Sequence, residues 1–564
     1  MSARRYVPRA GKEMLLHLSF WARVEKMRAT DPDPSVTVAF LDLHKNYEQI
    51  GAEVISLKHT DWQMHYVVID LKTEHVGHSV RPYLYIGMHA GIYFFDDFEY
   101  KEIEIEDGMA WLQRAPDRIR RRRMGKFKLT FYDSDQWPVD YGIASAQLKR
   151  HAFPLGVELK TRPMSQMKAA DYLWYLKTAS SHFWSAAIQK QMLWASYEPT
   201  PGDVGAGEKA IDDLVAWARS QKWASMGAAL LDGAQNEVDH WSNKLACRDL
   251  QHRLHERIAR DLHHFRGTIE LYEVWKGSLE WRDWIDRCGE ALFFDAYRWA
   301  HQADPSAKLC SSESDILSTL TLTKAEAYHN LVYRLKSQGI PIAAICVQAI
   351  FNGEVDASTV KHRLDVLHEL RLPVYITQFQ IRGLDPAKHA YELEKFLRIA
   401  FSHDCVAGIS LGDLWDTSTS DPGHSAGLYA ANKQPKPAAA KMNRLWKEEW
   451  HTSESKAMGA TGSLVFDGYY GTYDYSLSAG SQECSGTIEL TPAEVFDFAP
   501  GSMWGQHGAE AEAQEFIIQC DWEGHVHIPV WATPAGSALS PTTFDPPFHL
   551  CTHPTPVPCP RATS

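Results

Sequence analysis

The sequence predicts an α/β chain: a (β/α)8 TIM barrel, preceded by a jelly-roll β-sandwich and followed by a small β appendage. Two observations predict the barrel. Eight short apolar runs, at 153–159, 184–194, 223–232, 268–275, 307–315, 341–351, 372–381 and 406–414, each suit a buried strand. Between them lie helical patterns, such as Ile211, Leu214, Val215 and Ala218, and further ones at 247–264, 291–303, 324–337, 360–370 and 391–401. Alternation of this kind over roughly 300 residues closes a parallel sheet on itself. The competing doubly wound open sheet needs a Gly-rich phosphate turn after its first strand, and none follows here.

The third observation is the change of texture on either side. Residues 1–110 carry short alternating runs at 14–24, 35–43, 53–57, 63–70, 83–86 and 91–100, split by polar turns such as Asp31-Pro-Asp-Pro. That spacing suits a sandwich. Residues 111–152 hold Arg114, Arg118, Arg120, Arg121, Arg122, Arg123, Lys126 and Lys128, a block of like charge expected to be a solvated linker. Two pre-barrel strands, 127–131 and 143–148, follow it. The barrel segment spans 153–450. Residues 451–535 return to β runs, and 536–564 form a Pro-rich tail expected to be disordered.

Composition bounds the function. A length of 564 residues suits two to four domains, with ordinary hydrophobic (45%) and charged (23%) shares. The net charge of −13 argues against nucleic acid, whose binding needs a basic surface. No apolar run reaches the ~20 residues of a membrane span. The stretch 14–22 is broken by His17 and lacks a small-residue cleavage site, so no secretory signal is expected. Nine cysteines without CxxC spacing suit reduced thiols and a cytoplasmic, intracellular location, with Cys288, Cys310 and Cys346 as small buried hydrophobes. The sandwich begins abruptly, as though a first strand and any export signal lay upstream. No Walker, GxSxG or HExxH motif occurs. His525-Val-His527 offers half of a metal site without an evident third ligand, and His263-His264 ends a helix where imidazolium favours the dipole. No cofactor and no metal are expected. Aromatic residues reach 12%, with 20 Trp and 23 Tyr, which suits both sugar stacking and core filling.

Several segments carry a family resemblance. They are Gly91-Ile-Tyr-Phe-Phe-Asp-Asp, Phe153-Pro-Leu-Gly, Ala300-His-Gln-Ala-Asp-Pro-Ser-Ala-Lys-Leu and Val347-Gln348, followed by Leu372-Pro-Val-Tyr-Ile-Thr, Leu414-Trp-Asp, Trp446-Lys-Glu-Glu-Trp and Gly471-Thr-Tyr. In this order and spacing the sequence resembles glycoside hydrolase family 10, the β-1,4-xylanases, in the plant and algal arrangement with a carbohydrate-binding sandwich before the barrel. The resemblance implies retaining hydrolysis by a carboxylic acid and a carboxylate about 5–5.5 Å apart.

Both are missing. The family's tryptophan-aspartate-valine-valine-asparagine-glutamate after strand four reads Tyr272-Glu-Val-Trp-Lys-Gly277, so the acid/base position is Gly277. The threonine-glutamate of strand seven is Thr377-Gln378, an amide at the nucleophile position. Each loss removes a factor of about 10²–10⁴ or more. Their neighbours are changed too: the glycine-histidine of strand three is Gly227-Ala228, the tryptophan closing that motif is Asp232, and the histidine two after Gln348 is Ile350. The strand-two motif is Lys190-Gln-Met-Leu-Trp194, and the strand-five asparagine is Ser312.

The resemblance leaves Trp194, Gln348 and Trp415 as possible saccharide-binding residues, or as aromatic packing of Trp194 against Trp415 in a partly filled mouth. Asp232, Glu273, Glu280, Glu313, Asp315, Asp413 and Asp416 are the carboxylates from which a relocated pair could be drawn. The expected function is a catalytically inactive, xylanase-like protein with a binding or scaffold role, its partner another protein or a β-linked polysaccharide. The alternative is an active xylan hydrolase with relocated carboxylates.

Overall fold

The computed structural model describes residues 14–26, 34–57, 62–71, 73–86, 91–160, 168–189, 191–234, 240–318, 323–416, 425–492, 513–520 and 530–531. The Pro-rich tail and His525-Val-His527 lie outside them. Strands β1 (Met14–Lys26), β2 (Ser35–Asp42), β3 (Glu48–Ser56), β4 (Gln63–Leu71), β5 (Val80–Tyr85) and β6 (Gly91–Glu104) form two three-stranded antiparallel sheets, ordered β4-β1-β6 and β3-β2-β5. Period-two alternation sets the register: Leu16, Leu18, Phe20, Ala22 and Val24 are buried against Val36, Val38 and Phe40.

The outer face of the β4-β1-β6 sheet is divided. At one end Leu15 and Val68 join the large barrel core, with Tyr66 and Ile103 packed beside them. The Gly108 amide donates to Ser358 Oγ at 2.8 Å, and Lys361 pairs with Glu106 at 2.9 Å. A Cβ on Gly108 would lie 2.2 Å from the Ser358 amide, so only glycine permits this approach.

The arginine block forms a helix and not a linker: Arg120 and Arg121 are exposed as expected, but Arg123 is not. Ala115–Arg123 is a helix, and Arg123 is buried, donating to the carbonyls of Phe401 and Val406 at 2.8 Å each. Arg122 donates to the Asp404 carbonyl at 2.8 Å, and Arg118 stacks 3.5 Å over Trp111. Arg122 and Arg123 thus satisfy carbonyls from the last turn of helix Pro386–Ser402 and from the short connection that leads into the next strand.

Strands β7 (Met124–Tyr132) and β8 (Ile143–His151) precede the barrel in sequence but pair with strands that follow it. The barrel strands are β9 (Leu155–Glu158), β10 (Ser185–Ala187), β11 (Ala224–Asp232), β12 (Leu271–Lys276), β13 (Lys308–Glu313), β14 (Ala344–Asn352), β15 (Val374–Arg382) and β16 (Val406–Leu411), all parallel and closed by the β16–β9 pairing. The expected strand over 184–194 shrinks to Ser185–Ala187, and Trp194 opens a short helix, Trp194–Tyr197.

After the barrel come β17 (Ser453–Ala457), β18 (Ser463–Tyr469), β19 (Gly471–Ala479), β20 (Gln482–Leu490), β21 (Gln514–Gln519) and β22 (Val530–Trp531). Two four-stranded sheets result, β17-β8-β19-β20 and β18-β7-β21-β22. The pre-barrel segment and the C-terminal appendage are therefore one module with the barrel inserted between its strands.

The cysteines correct a second expectation. Cys247–Cys288, Cys310–Cys346 and Cys484–Cys520 are disulfides, and Cys405 is free and buried. Cys310–Cys346 lies inside the barrel with Leu271, Ala344, Tyr375 and Ala407. Disulfides persist in oxidising compartments, so the cytoplasmic expectation loses the premise of reduced thiols.

Candidate functional site

Side chains alternate along a strand, so the interior layer that holds Leu271, Cys310 and Cys346 is followed two residues on by Glu273, Ser312 and Gln348. All three are buried. The strands thus carry a polar layer toward their C-terminal ends, where barrel active sites form. Glu273 accepts from Gln189, and Lys160 pairs with Glu158 at 2.6 Å with both side chains buried.

Gly277 follows β12 directly, its amide bonded to the Ser312 carbonyl at 2.9 Å. Gln378 lies on β15 in register with Gln348 of β14. Both positions expected from the resemblance thus fall toward the C-terminal ends of their strands, and Lys276, next to Gly277, faces Asp232 at 3.7 Å. The space at Gly277 is taken. Its φ is +71°, and a Cβ there would lie 3.0 Å from Trp281 Cδ1. The Trp281 amide closes the turn onto the Gly277 carbonyl at 2.9 Å. This tryptophan was missed in the sequence; its signal was a large aromatic four residues beyond a glycine, the spacing of one closed turn.

Each carboxylate proposed as a replacement is engaged. Asp232 also accepts from the Ala234 amide at 3.0 Å, Glu280 pairs with Lys324, and Asp315 accepts from Ser318 at 3.4 Å. Asp413 accepts from Gln380, which Arg382 holds from its other end at 2.6 Å. Asp416 pairs with Lys436 at 2.8 Å and accepts from the Gly427 amide at 3.0 Å. His264, at the end of helix Cys247–His264, pairs with Asp212 at 2.8 Å.

Glu313 is the perturbed member of the set. It accepts from Ser278 Oγ at 2.8 Å and the Leu279 amide at 3.0 Å, yet burial pushes its pKa up to about 7. The folded chain therefore holds this proton more tightly than the unfolded chain. The resulting stability is full below about 4.5 and is lost as pH rises through about 7. Glu313→Gln is expected to remove that loss, so its melting temperature should gain on the parent's steadily from about pH 5 to pH 8. Parallel profiles would mean that the carboxyl is ionised throughout.

The saccharide residues expected from the sequence are not brought together. Trp194 is 2% exposed, meets Trp241 and Trp284 edge-to-face, and donates to Glu198 at 2.9 Å. Trp415 is 4% exposed, lies edge-on to Trp174 at 5.3 Å, and donates to the Ala430 carbonyl at 3.0 Å. Each indole is covered by aromatic neighbours of its own, so neither offers a sugar its face and the two do not form a shared stack. Gln348 is buried on the polar layer, its side-chain amide nitrogen without a protein partner among the described residues.

Comparison with known proteins identifies the family of the barrel segment. The glycosyl hydrolase family 10 pattern matches residues 146–444, more than half of the chain. The anti-sigma-I factor RsgI6 of Acetivibrio thermocellus is 27% identical over 394 residues, covering 68% of this chain and 50% of that protein. Endo-1,4-beta-xylanase 1 of Arabidopsis thaliana is 25% identical over 366 residues, covering 64% of this chain and 37% of that one. The chain thus spans half or less of the length of these relatives. The crystal structure of native xylanase 10B from Thermotoga maritima aligns with a TM-score of 0.48 at 21% identity, over 53% of this chain and 96% of that one. With its barrel strands, their order and its matched segment on one footing, the chain belongs to glycosyl hydrolase family 10.

Proposed function

We propose that this chain is a non-hydrolytic member of its family that holds a β-1,4-linked glycan without cutting it. One observation carries the reading: the acid/base position is a glycine at φ +71° with Trp281 against it, and the nucleophile position is Gln378. Retaining cleavage needs two ionisable carboxyls about 5–5.5 Å apart. An amide and a glycine supply neither. The engagement of Asp232, Glu273, Glu280, Glu313, Asp315, Asp413 and Asp416 with other groups further supports loss of the reaction over its relocation. A relative whose name is that of an anti-sigma factor, not a hydrolase, favours the same reading.

The reading assigns the glycan surface to the first sandwich. Beyond the end packed on the barrel, the outer face of β4-β1-β6 carries Trp21 (38% exposed) and Trp62 (43% exposed), with Phe94 between solvent and core. Arg23 lies 3.9 Å over Phe94, and Trp62 meets Phe94 edge-on. Flat aromatic faces beside a fixed guanidinium suit pyranose rings and their hydroxyls. The purified chain is expected to be retained on insoluble xylan, and Trp21→Ala/Trp62→Ala to weaken retention at least about 10-fold. Retention unchanged by the double variant would remove the sandwich from the reading. No retention by the parent chain would replace glycan binding by a protein-facing scaffold role.

A further inference from the structure

At the end of the barrel opposite Gly277 and Gln378 lies a cavity of about 590 Å³, within the range of small-ligand sites. Its walls come from the last residues of β8, from the segments that lead into β10 and β11, from the end of helix Pro437–Arg444, and from the second β module. Half-buried Trp184 supplies aromatic surface, and Trp223 lies buried behind the wall against Trp217.

The charge of the lining is one-sided. Lys149, Arg150, Lys222 and Lys447 border the cavity against a single carboxylate, Asp474. Asp474 is taken by Lys149 at 3.0 Å. Arg150 donates only to the Lys222 carbonyl, and no carboxylate pairs with Arg150, Lys222 or Lys447 among the described residues. Three uncompensated cations around one hollow run against a chain whose net charge is −13. Carbonyls at the adjoining helix ends offset them only in part, as fractional charges. His182, also on the wall, stays neutral because burial pushes its pKa down to about 4.

We infer that this cavity binds an anionic saccharide, with its acid group between Arg150, Lys222 and Lys447 and its ring against Trp184. Fixed cations recognise the charge, and the aromatic wall selects a ring-bearing ligand over a bare ion. The site lies apart from both the vacated catalytic positions and the sandwich face.

Calorimetric titration of the full chain with glucuronate-bearing xylotriose, neutral xylotriose and sodium sulfate tests this. The glucuronate probe is expected to bind, to weaken as salt is raised, and to lose at least about 10-fold in affinity in Lys222→Gln and in Lys447→Gln. Both lysines are exposed, so these variants should keep the parent's melting temperature. Trp21→Ala/Trp62→Ala should leave this binding unchanged, which separates its failure from failure of the sandwich surface. Equal binding of xylotriose, sulfate binding as tight as the glucuronate probe, no binding of that probe, or indifference to both lysine variants would each overturn the inference.

Discussion

Replacing Lys160 by alanine should cost about 3–5 kcal/mol of stability. Lys160 and Glu158 are 5% and 1% exposed and meet at 2.6 Å, and Glu158 Oε1 has no other partner among the described residues. Removing the ammonium leaves a carboxylate in a low-dielectric interior, where its desolvation is uncompensated. Exchange of both residues for leucine removes both charges together and should cost much less. Urea unfolding of the two variants measures the difference. A loss under about 1 kcal/mol for Lys160→Ala would mean that water or another cation reaches Glu158.

Restoring the missing carboxylates, Gly277→Glu with Gln378→Glu, should not restore xylan cleavage. The Gly277 backbone sits in the left-handed region, where glutamate is strained, and its Cβ would press on Trp281. A glutamate at 378 would lack the imidazole that the family supplies two residues beyond the strand-six glutamine, where this chain has Ile350. A carboxylate without its orienting neighbours loses a large share of its catalytic value. Release of reducing ends by the double variant, at a rate clearly above the parent chain, would show that these neighbours matter less than argued.

The barrel was legible because period-two and period-3.6 patterns alternate over all eight units, and each expected strand has a counterpart within a few residues. Its second strand was read too long, since Trp194 is an aromatic buried from a short helix, and apolar content alone does not separate that from a strand. The arginine helix was hidden because charge was equated with solvation, whereas Arg123 satisfies carbonyls about 280 residues away in sequence. The disulfides were equally non-local: Cys310 and Cys346 meet only because β13 and β14 are neighbours. Pairing of β8 with β17 and β19, across the whole barrel, left no local trace. At the site, the identities of Gly277 and Gln378 could be read from the sequence, and the structure adds the turn that Trp281 closes onto Gly277. The burial of Trp194 and Trp415 was not, because it depends on Trp241, Trp284 and Trp174 from separate segments.

The most direct test of the central claim is reducing-sugar release from xylan by the purified chain, with Gln378→Ala as the paired control. The account predicts that parent and control are alike and indistinguishable from buffer. Turnover by the parent that the control lacks would establish a working reaction centre at the barrel mouth and contradict it.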